Sequence, residues 1–203
     1  KTVATDSHRM SQKVITLEKN GDNFDVVIPS RSLREFTSVF SDDIETVEVF
    51  FANNQILFRS EHISFYTRLL EGNYPDTDRL IPTEFNTEAT FNVANLRFAM
   101  ERARLLSNAT QNGTVKLEFK NGVISSHVHS PEVGRVNEEI DTSAVSGEDL
   151  SISFNPTYLI EALKAIDSEQ VVIRFISSVR PFTLVPEGNE QGFIQLITPV
   201  RTN

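Results

Sequence analysis

The stretch Ile152–Ile166, ISFNPTYLIEALKAI, joins a short apolar strand to a capped helix, and two earlier stretches follow the same plan. Asn155 is a good N-cap, Pro156 suits the first helical position, and Leu159, Ala162, Leu163 and Ile166 recur at helical spacing. Val26–Phe40 (VVIPSRSLREFTSVF) and Phe91–Leu106 (FNVANLRFAMERARLL) each give an apolar run, a polar cap and an amphipathic helix. Alternating strand residues follow every helix. Thr46–Phe51, Gln55–Ser60 and Ser64–Leu69 come after the first, with Asn53-Asn54 as a turn. Thr114–Phe119, Val123–His129 and Val136–Ile140 come after the second, with the hairpin signal Asn121-Gly122. Gln170–Ile176, Phe182–Val185 and Phe193–Ile197 come after the third. A unit of one strand, one helix and three strands, about sixty residues long, therefore recurs, as duplicated supersecondary units do. One helix cannot cover both faces of four strands, so paired units are expected to pack their helices on one face of a shared sheet, an α+β architecture.

The same unit explains the ends of the sequence. Lys1–Thr5 reads as a strand, Asp6, Ser7 and His8 as a turn, and Met10–Leu17 as the next strand. TDSHRMS (Thr5–Ser11) takes the place that RSEHISF (Arg59–Phe65) holds in the first complete unit, so Lys1–Leu17 reads as the tail of a further unit and the chain as the C-terminal part of something longer. The unit Asn23–Leu70 is expected to pair with that remnant. Gly72–Pro82, GNYPDTDRLIP, is turn-rich and carries two prolines, which sets a domain boundary: 1–82 and 83–203. Glu187–Gln191 reads as an exposed hairpin loop.

At 203 residues the chain can hold one or two domains with real cores. Its 39% hydrophobic and 23% charged residues are ordinary for a soluble globular protein, and no apolar run approaches the roughly 20 residues that span a bilayer. The absence of cysteine removes disulfides, thiolate chemistry and cysteine metal sites, and agrees with a cytoplasmic location. The net charge of −9 opposes nucleic-acid binding, which needs Lys and Arg, but its distribution matters more than its sum. The helical stretches 30–40, 95–107 and 155–166 carry a net +3, which leaves −12 for the remainder. The helix layer is positive inside an acidic molecule.

Catalytic signatures are few. There is no glycine-rich phosphate loop, no G-x-S-x-G and no H-E-x-x-H. His127-x-His129 places two imidazoles on one face of a strand, which could serve a metal-assisted hydrolase together with His8, but no third ligand stands at a suggestive spacing. Asp6 and His8 read as turn residues before they read as an acid–base pair. Asp42-Asp43 and Glu138-Glu139 read as solvated charges. No catalytic residue, metal or cofactor is expected.

KTVATDSHRM, GNYPDTDRLIP and the terminal QLITPVRTN together resemble the bacterial DNA polymerase III beta subunit family, the sliding clamps. The T-x-x-A-T-D-x-H-R run, the Tyr-Pro-Asp of the link and the Pro-hydrophobic-Arg near the terminus lie in the family's order and spacing, over the whole chain, and the tail is of the Gram-positive kind. The resemblance implies the DNA-clamp fold, with 1–82 as the second half of a middle domain and 83–203 as a C-terminal domain. It also implies a processivity factor without a reaction of its own. Two full-length protomers would close head to tail around duplex DNA, with helices lining the hole, in the nucleoid-associated cytoplasm. The 203-residue chain alone is then expected to be monomeric. The implied partners are duplex DNA, without sequence preference, and linear motifs of the polymerase III alpha and delta subunits and of other polymerases and repair proteins. Such motifs present a Gln and then Leu and Phe-like anchors. A peptide-binding scaffold without a DNA role is the competing reading of the same residues.

Carried over position by position, the partner pocket comprises Thr5, Ser7, His8, Arg9 and Met10 from the turn, Pro75 and Leu80 from the link, and Leu196, Thr198, Pro199, Val200 and Arg201 from the tail. Ser7 stands where the family often has Gly, and Thr198 where it often has Met. Arg31, Arg34, Arg79, Arg97, Arg102 and Lys164 are the candidates for DNA contact. Leu105 and Leu106 match the apolar contact to a neighbouring protomer. Because the tail follows the last strand, its loss is expected to cost binding rather than melting temperature, and Met10→Asp is expected to act in the same way.

Overall fold

Strand and helix periods in the sequence resolve into a chain of short elements. The computed structural model describes residues 1–17, 23–41, 43–107, 113–130, 134–189 and 192–201. In chain order these hold β1 (Thr2–Thr5), β2 (Arg9–Lys13), α1 (Ser30–Val39), β3 (Glu48–Ala52), β4 (Gln55–Arg59) and β5 (Ser64–Arg68). A 3-10 turn, Asp78–Leu80, precedes β6 (Thr87–Asn92), α2 (Val93–Ser107), β7 (Val115–Lys120), β8 (Val123–Ser130) and β9 (Gly134–Glu139). Then come β10 (Ala144–Gly147), β11 (Leu150–Phe154), α3 (Pro156–Lys164), β12 (Gln170–Phe175), β13 (Phe182–Pro186) and β14 (Phe193–Ile197). The chain divides into two compact units, Lys1–Thr16 with Thr77–Asn203, and Leu17–Asp76.

In the larger unit the repeats exchange strands. A seven-stranded sheet runs β1-β2-β14-β13-β12-β6-β10, and a four-stranded sheet runs β11-β7-β8-β9. The opening strand of the second unit, β6, pairs with β12 of the third, while the opening strand of the third, β11, pairs with β7 of the second. The expected single shared sheet is therefore two sheets, each completed by a strand of the other unit. Alternation explains the burial: Val115, Leu117 and Phe119 of β7 point inward and Lys116 and Lys120 outward. Phe91, Leu96, Met100, Phe154, Leu159, Ile173 and Phe175 join both sheets and both helices in one core. α2 turns Leu96, Ala99, Met100 and Ala103 inward at helical spacing. Asn155 caps α3 by accepting the Thr157 amide at 2.9 Å, with Pro156 in the first turn, as its sequence predicts.

β10 is absent from the sequence reading. The third strand after α2 breaks at 140–143 and crosses between sheets: Ile140 still bonds to Ile124 of β8, whereas Ser143 bonds to Thr90 of β6. Gly147, at φ +101°, lets β10 pass β6, because a Cβ there would stand 1.9 Å from the Asn86 carbonyl oxygen.

The smaller unit packs α1 on β3-β4-β5, with Phe40, Ile56 and Phe58 buried and Phe36 against them, its ring 4.6 Å from those of Phe40 and Phe58. The strand expected before α1 is reduced to one bridge, Val27 to Leu70, and Pro29 occupies the N-cap without a side-chain cap bond. β2 of the opening hairpin pairs with β14. The equivalence of the two hairpins holds residue for residue. Thr5 faces Met10 as Arg59 faces Ser64, and the amides of Asp6 and Ser60 donate to the carbonyls of Arg9 and Ile63. Glu190 and Gln191 of the 187–191 loop, and Asp42, lie outside the described residues.

Candidate functional site

The β1–β2 turn is built by Asp6. Its Oδ1 accepts the amides of His8 and Arg9, both at 3.1 Å, and its Oδ2 accepts Arg9 Nε at 2.9 Å. Burial raises the Asp6 pKa, but the hydrogen bonds from Arg9 and from the His8 backbone outweigh it and hold the carboxyl below its ordinary value. Asp6 therefore serves as turn scaffold rather than as an acid–base partner of His8. Ser7 takes φ +75°, a left-handed conformation that costs a non-glycine residue about 1–2 kcal/mol. The backbone shape that favours Gly there is kept with Ser.

Three segments meet beside this turn. The amide and hydroxyl of Thr198 donate to the His8 carbonyl at 2.9 and 2.8 Å. The Val200 amide donates to the Ser153 carbonyl at 2.7 Å, so the tail runs on past the end of β11. From the turn, the Arg9 guanidinium lies 4.7 Å from the Tyr158 ring centroid and is ion-paired with Glu161. The His8 ring stacks on the same tyrosine at 6.1 Å. His8, Arg9, Thr198 and Val200 are thus gathered around the first turns of α3. Tyr158 and Glu161 were not read from the sequence. Their signal is that both fall off the inward stripe of Leu159, Ala162 and Leu163, three residues apart, with Tyr158 half-buried and Glu161 exposed.

Three further pocket candidates, Thr5, Met10 and Leu196, lie on the opposite face of the seven-stranded sheet. Arg9 faces Ile197, on the core side, but Met10 faces Leu196 and Thr5, so these three point the other way. Met10 and Leu196 are 2% and 4% exposed. Both are buried rather than part of an open wall, which corrects the expectation for Met10→Asp. The segment after Asp76 runs over that face. Lys1, just before β1, bonds Asp78 at 2.6 Å, and Arg174 on β12 lies 5.7 Å from the Phe85 ring. Leu80, between those ties, is 51% exposed. Pro75 is the one pocket candidate carried by the smaller unit.

Two family models match the chain: the C-terminal domain of the DNA polymerase III beta subunit over residues 78–201, and its central domain over residues 1–76. The chain belongs to the DNA polymerase III beta subunit family. The chain is 80% identical to the beta sliding clamp of Streptococcus pneumoniae TIGR4, over 100% of its own length and 54% of the relative's. The beta sliding clamp of Lactococcus lactis is 55% identical, over the same shares. Among solved structures, the beta chain of DNA polymerase III from S. pneumoniae TIGR4 superposes with a TM-score of 0.96 at 80% identity, over 98% of the present chain and 53% of that one. The chain spans about half the length of the curated relatives it matches.

Three of the six candidate DNA-contacting side chains, Arg31, Arg97 and Arg102, are engaged by neighbouring acids or rings. Arg31 pairs with Glu35 at 3.0 Å, and Arg97 lies 3.8 Å from Glu101, too far for a hydrogen bond, with its guanidinium 5.3 Å from the Phe98 ring. Arg102 makes a two-pronged pair with Glu138, whose hydrogen bonds raise the Arg102 pKa against a smaller opposing effect of burial. Glu138 is therefore a partner of the helix and not the solvated charge expected. Arg34, Arg79 and Lys164 are exposed. Leu105 is 72% exposed on α2, whereas Leu106 is half-buried against the core.

His127 has both ring nitrogens committed, Nε2 to Ser125 at 2.8 Å and Nδ1 to Asn137 at 2.9 Å. Among the described residues no group of three His, Asp or Glu could hold a metal ion, and no helix is long and apolar enough to cross a membrane. A cavity of about 580 Å³ lies in the smaller unit, lined by Asp25, Val27, Asn53, Leu70 and Tyr74; none of the residues of the junction of turn, tail and α3 lines it. Asp25 and Glu71 in its lining make it a poor phosphate site.

Proposed function

We propose that this chain is the peptide-docking part of a sliding clamp. Full-length protomers would close head to tail around duplex DNA and tether polymerases and repair proteins, with no chemistry of their own. The observation that carries the reading is the junction of turn, tail and α3. Three segments distant in sequence present His8, Arg9, Thr198 and Val200 around Tyr158, beside a sheet whose far face holds the buried pair Met10 and Leu196. A surface that sets a few hydrogen-bonding groups beside a tyrosine ring suits an extended peptide with Leu and Phe-like anchors. Each anchor contributes about 1.5–3 kcal/mol when buried, which after ordering costs leaves an affinity near micromolar, about −8 kcal/mol.

The net +3 of the helical stretches inside a chain of −9 supports weak, sequence-independent contact with phosphates, and a closed ring would supply by topology what affinity does not. Leu105, 72% exposed, is proposed to meet a neighbouring protomer. Isothermal titration with a synthetic peptide carrying one Gln followed by Leu and Phe tests the docking role. Binding near micromolar affinity, weakened by Val200→Asp, is the expected result, and no heat at about 100 μM peptide refutes it.

A further inference from the structure

Arg9 is held by two carboxylates of different standing. Asp6 belongs to the same turn, three residues away, and fixes the guanidinium to its own hairpin. Glu161 lies 152 residues away on α3, and its pair with Arg9 is a side-chain ion pair that ties the turn to the helix. Between the two anchors Arg9 lies over Tyr158, which His8 also stacks against. The Asp6 and Arg9 side chains are 46% and 33% exposed and that of Glu161 is 50% exposed, so the assembly sits at the surface where salt can reach it. Nothing in the packing of α3 requires Glu161, which falls on the exposed stripe of the helix with Lys164.

We propose that Glu161 is a positioning residue of the docking groove. By drawing Arg9 onto Tyr158 it latches the β1–β2 turn against α3 and keeps the groove in its binding shape before a peptide arrives. The inference rests on the peptide-docking reading above and adds its control: the latch is ionic, so groove readiness falls as ionic strength rises. An uncharged partner peptide would then bind with a salt dependence that comes from the protein alone. Preorganisation of this kind changes affinity without any contact between Glu161 and the peptide.

The test is titration of the 203-residue chain, as wild type, Glu161→Gln and Glu161→Asp, with an end-capped, uncharged peptide carrying Gln, Leu and Phe, in low and in about 1 M KCl, where screening acts within about 3 Å. At low salt Glu161→Gln is expected to bind about fivefold more weakly, the upper end of what an exposed ion pair supplies, and Glu161→Asp to recover part of the loss. At high salt wild type and Glu161→Gln are expected to converge. Amide exchange at His8 and Arg9, measured without peptide, is expected to quicken in Glu161→Gln while the melting temperature stays unchanged. Wild-type binding that Glu161→Gln leaves intact at low salt overturns the latch alone. A deficit that persists undiminished at high salt also overturns it, since that marks direct contact or general loss of structure. A wild-type chain that binds no such peptide at any salt overturns the docking reading, and the latch with it.

Discussion

Removing Thr198–Asn203 takes away three hydrogen bonds: those of the Thr198 amide and hydroxyl to His8, and that of the Val200 amide to Ser153. Position after the last strand predicts little effect on folding, but these bonds extend the strand's hold on the turn and on the end of β11. Each intramolecular hydrogen bond contributes about 1 kcal/mol net, so the deletion is expected to cost about 2–3 kcal/mol, with the lower figure favoured because water can replace the donor at the exposed His8 carbonyl. For a unit of this size each kcal/mol is worth about 3 °C, so the melting temperature should fall by roughly 6–9 °C. Peptide affinity should fall at least about tenfold, or about 1.4 kcal/mol, through loss of the Thr198, Pro199 and Val200 side of the groove. Scanning calorimetry and isothermal titration on the truncated chain read both. A melting temperature within about 2 °C of wild type would show that the tail's bonds carry no stability, against the magnitude argued. Lost stability with undiminished affinity would show that peptide docks elsewhere.

Met10→Asp buries an unpaired charge at a site 2% exposed, so it should abolish the cooperative unfolding transition of the larger unit in denaturant titration rather than weaken binding selectively. Ser7→Gly should relieve the left-handed strain while loosening the unfolded chain, for a net change between zero and about +1 kcal/mol in chemical denaturation, whereas Ser7→Val should destabilise. Glu138→Gln frees Arg102 from its partner and should raise duplex-DNA affinity in anisotropy titrations. It should steepen the salt dependence by up to about 0.9 in log–log slope, and an unchanged slope would show that Arg102 meets no phosphate. Because the folded pKa of Asp6 lies below its ordinary 3.8, its contribution is present above that value and disappears as pH falls through the folded pKa. Wild type should therefore lose stability relative to Asp6→Asn only below about pH 4.

The local elements were legible because each has a local cause. Asn155 and Pro156 start α3, Asn121-Gly122 turns β7 into β8, and the match of Thr5–Ser11 to Arg59–Phe65 gives the hairpin register. Pairing across units was not legible, since alternation marks a strand but names no partner; hence the exchanged β6 and β11 and the two sheets. β10 is a short Ala-Val-Ser-Gly segment with three exposed residues, too weak a pattern to distinguish from a loop. The side on which Met10 falls depends on the parity of its pairing with Leu196, which only the ladder fixes. Glu161 and Glu138 resemble any solvated acid until the arginine that each one meets, remote in sequence, is placed beside it.

The hairpin and the tail that meet beside α3 are 190 residues apart, as the bond from Thr198 to His8 shows. During synthesis at about 5–20 residues per second, the hairpin would wait roughly 10–40 s for β14, the strand that covers the open side of β2. Through that interval it presents an unpaired strand edge, and closure of so long a loop is a late event in folding. On the docking reading proposed above, a groove assembled last is also a report on completion: a chain that has not reached β14 would not bind the peptide.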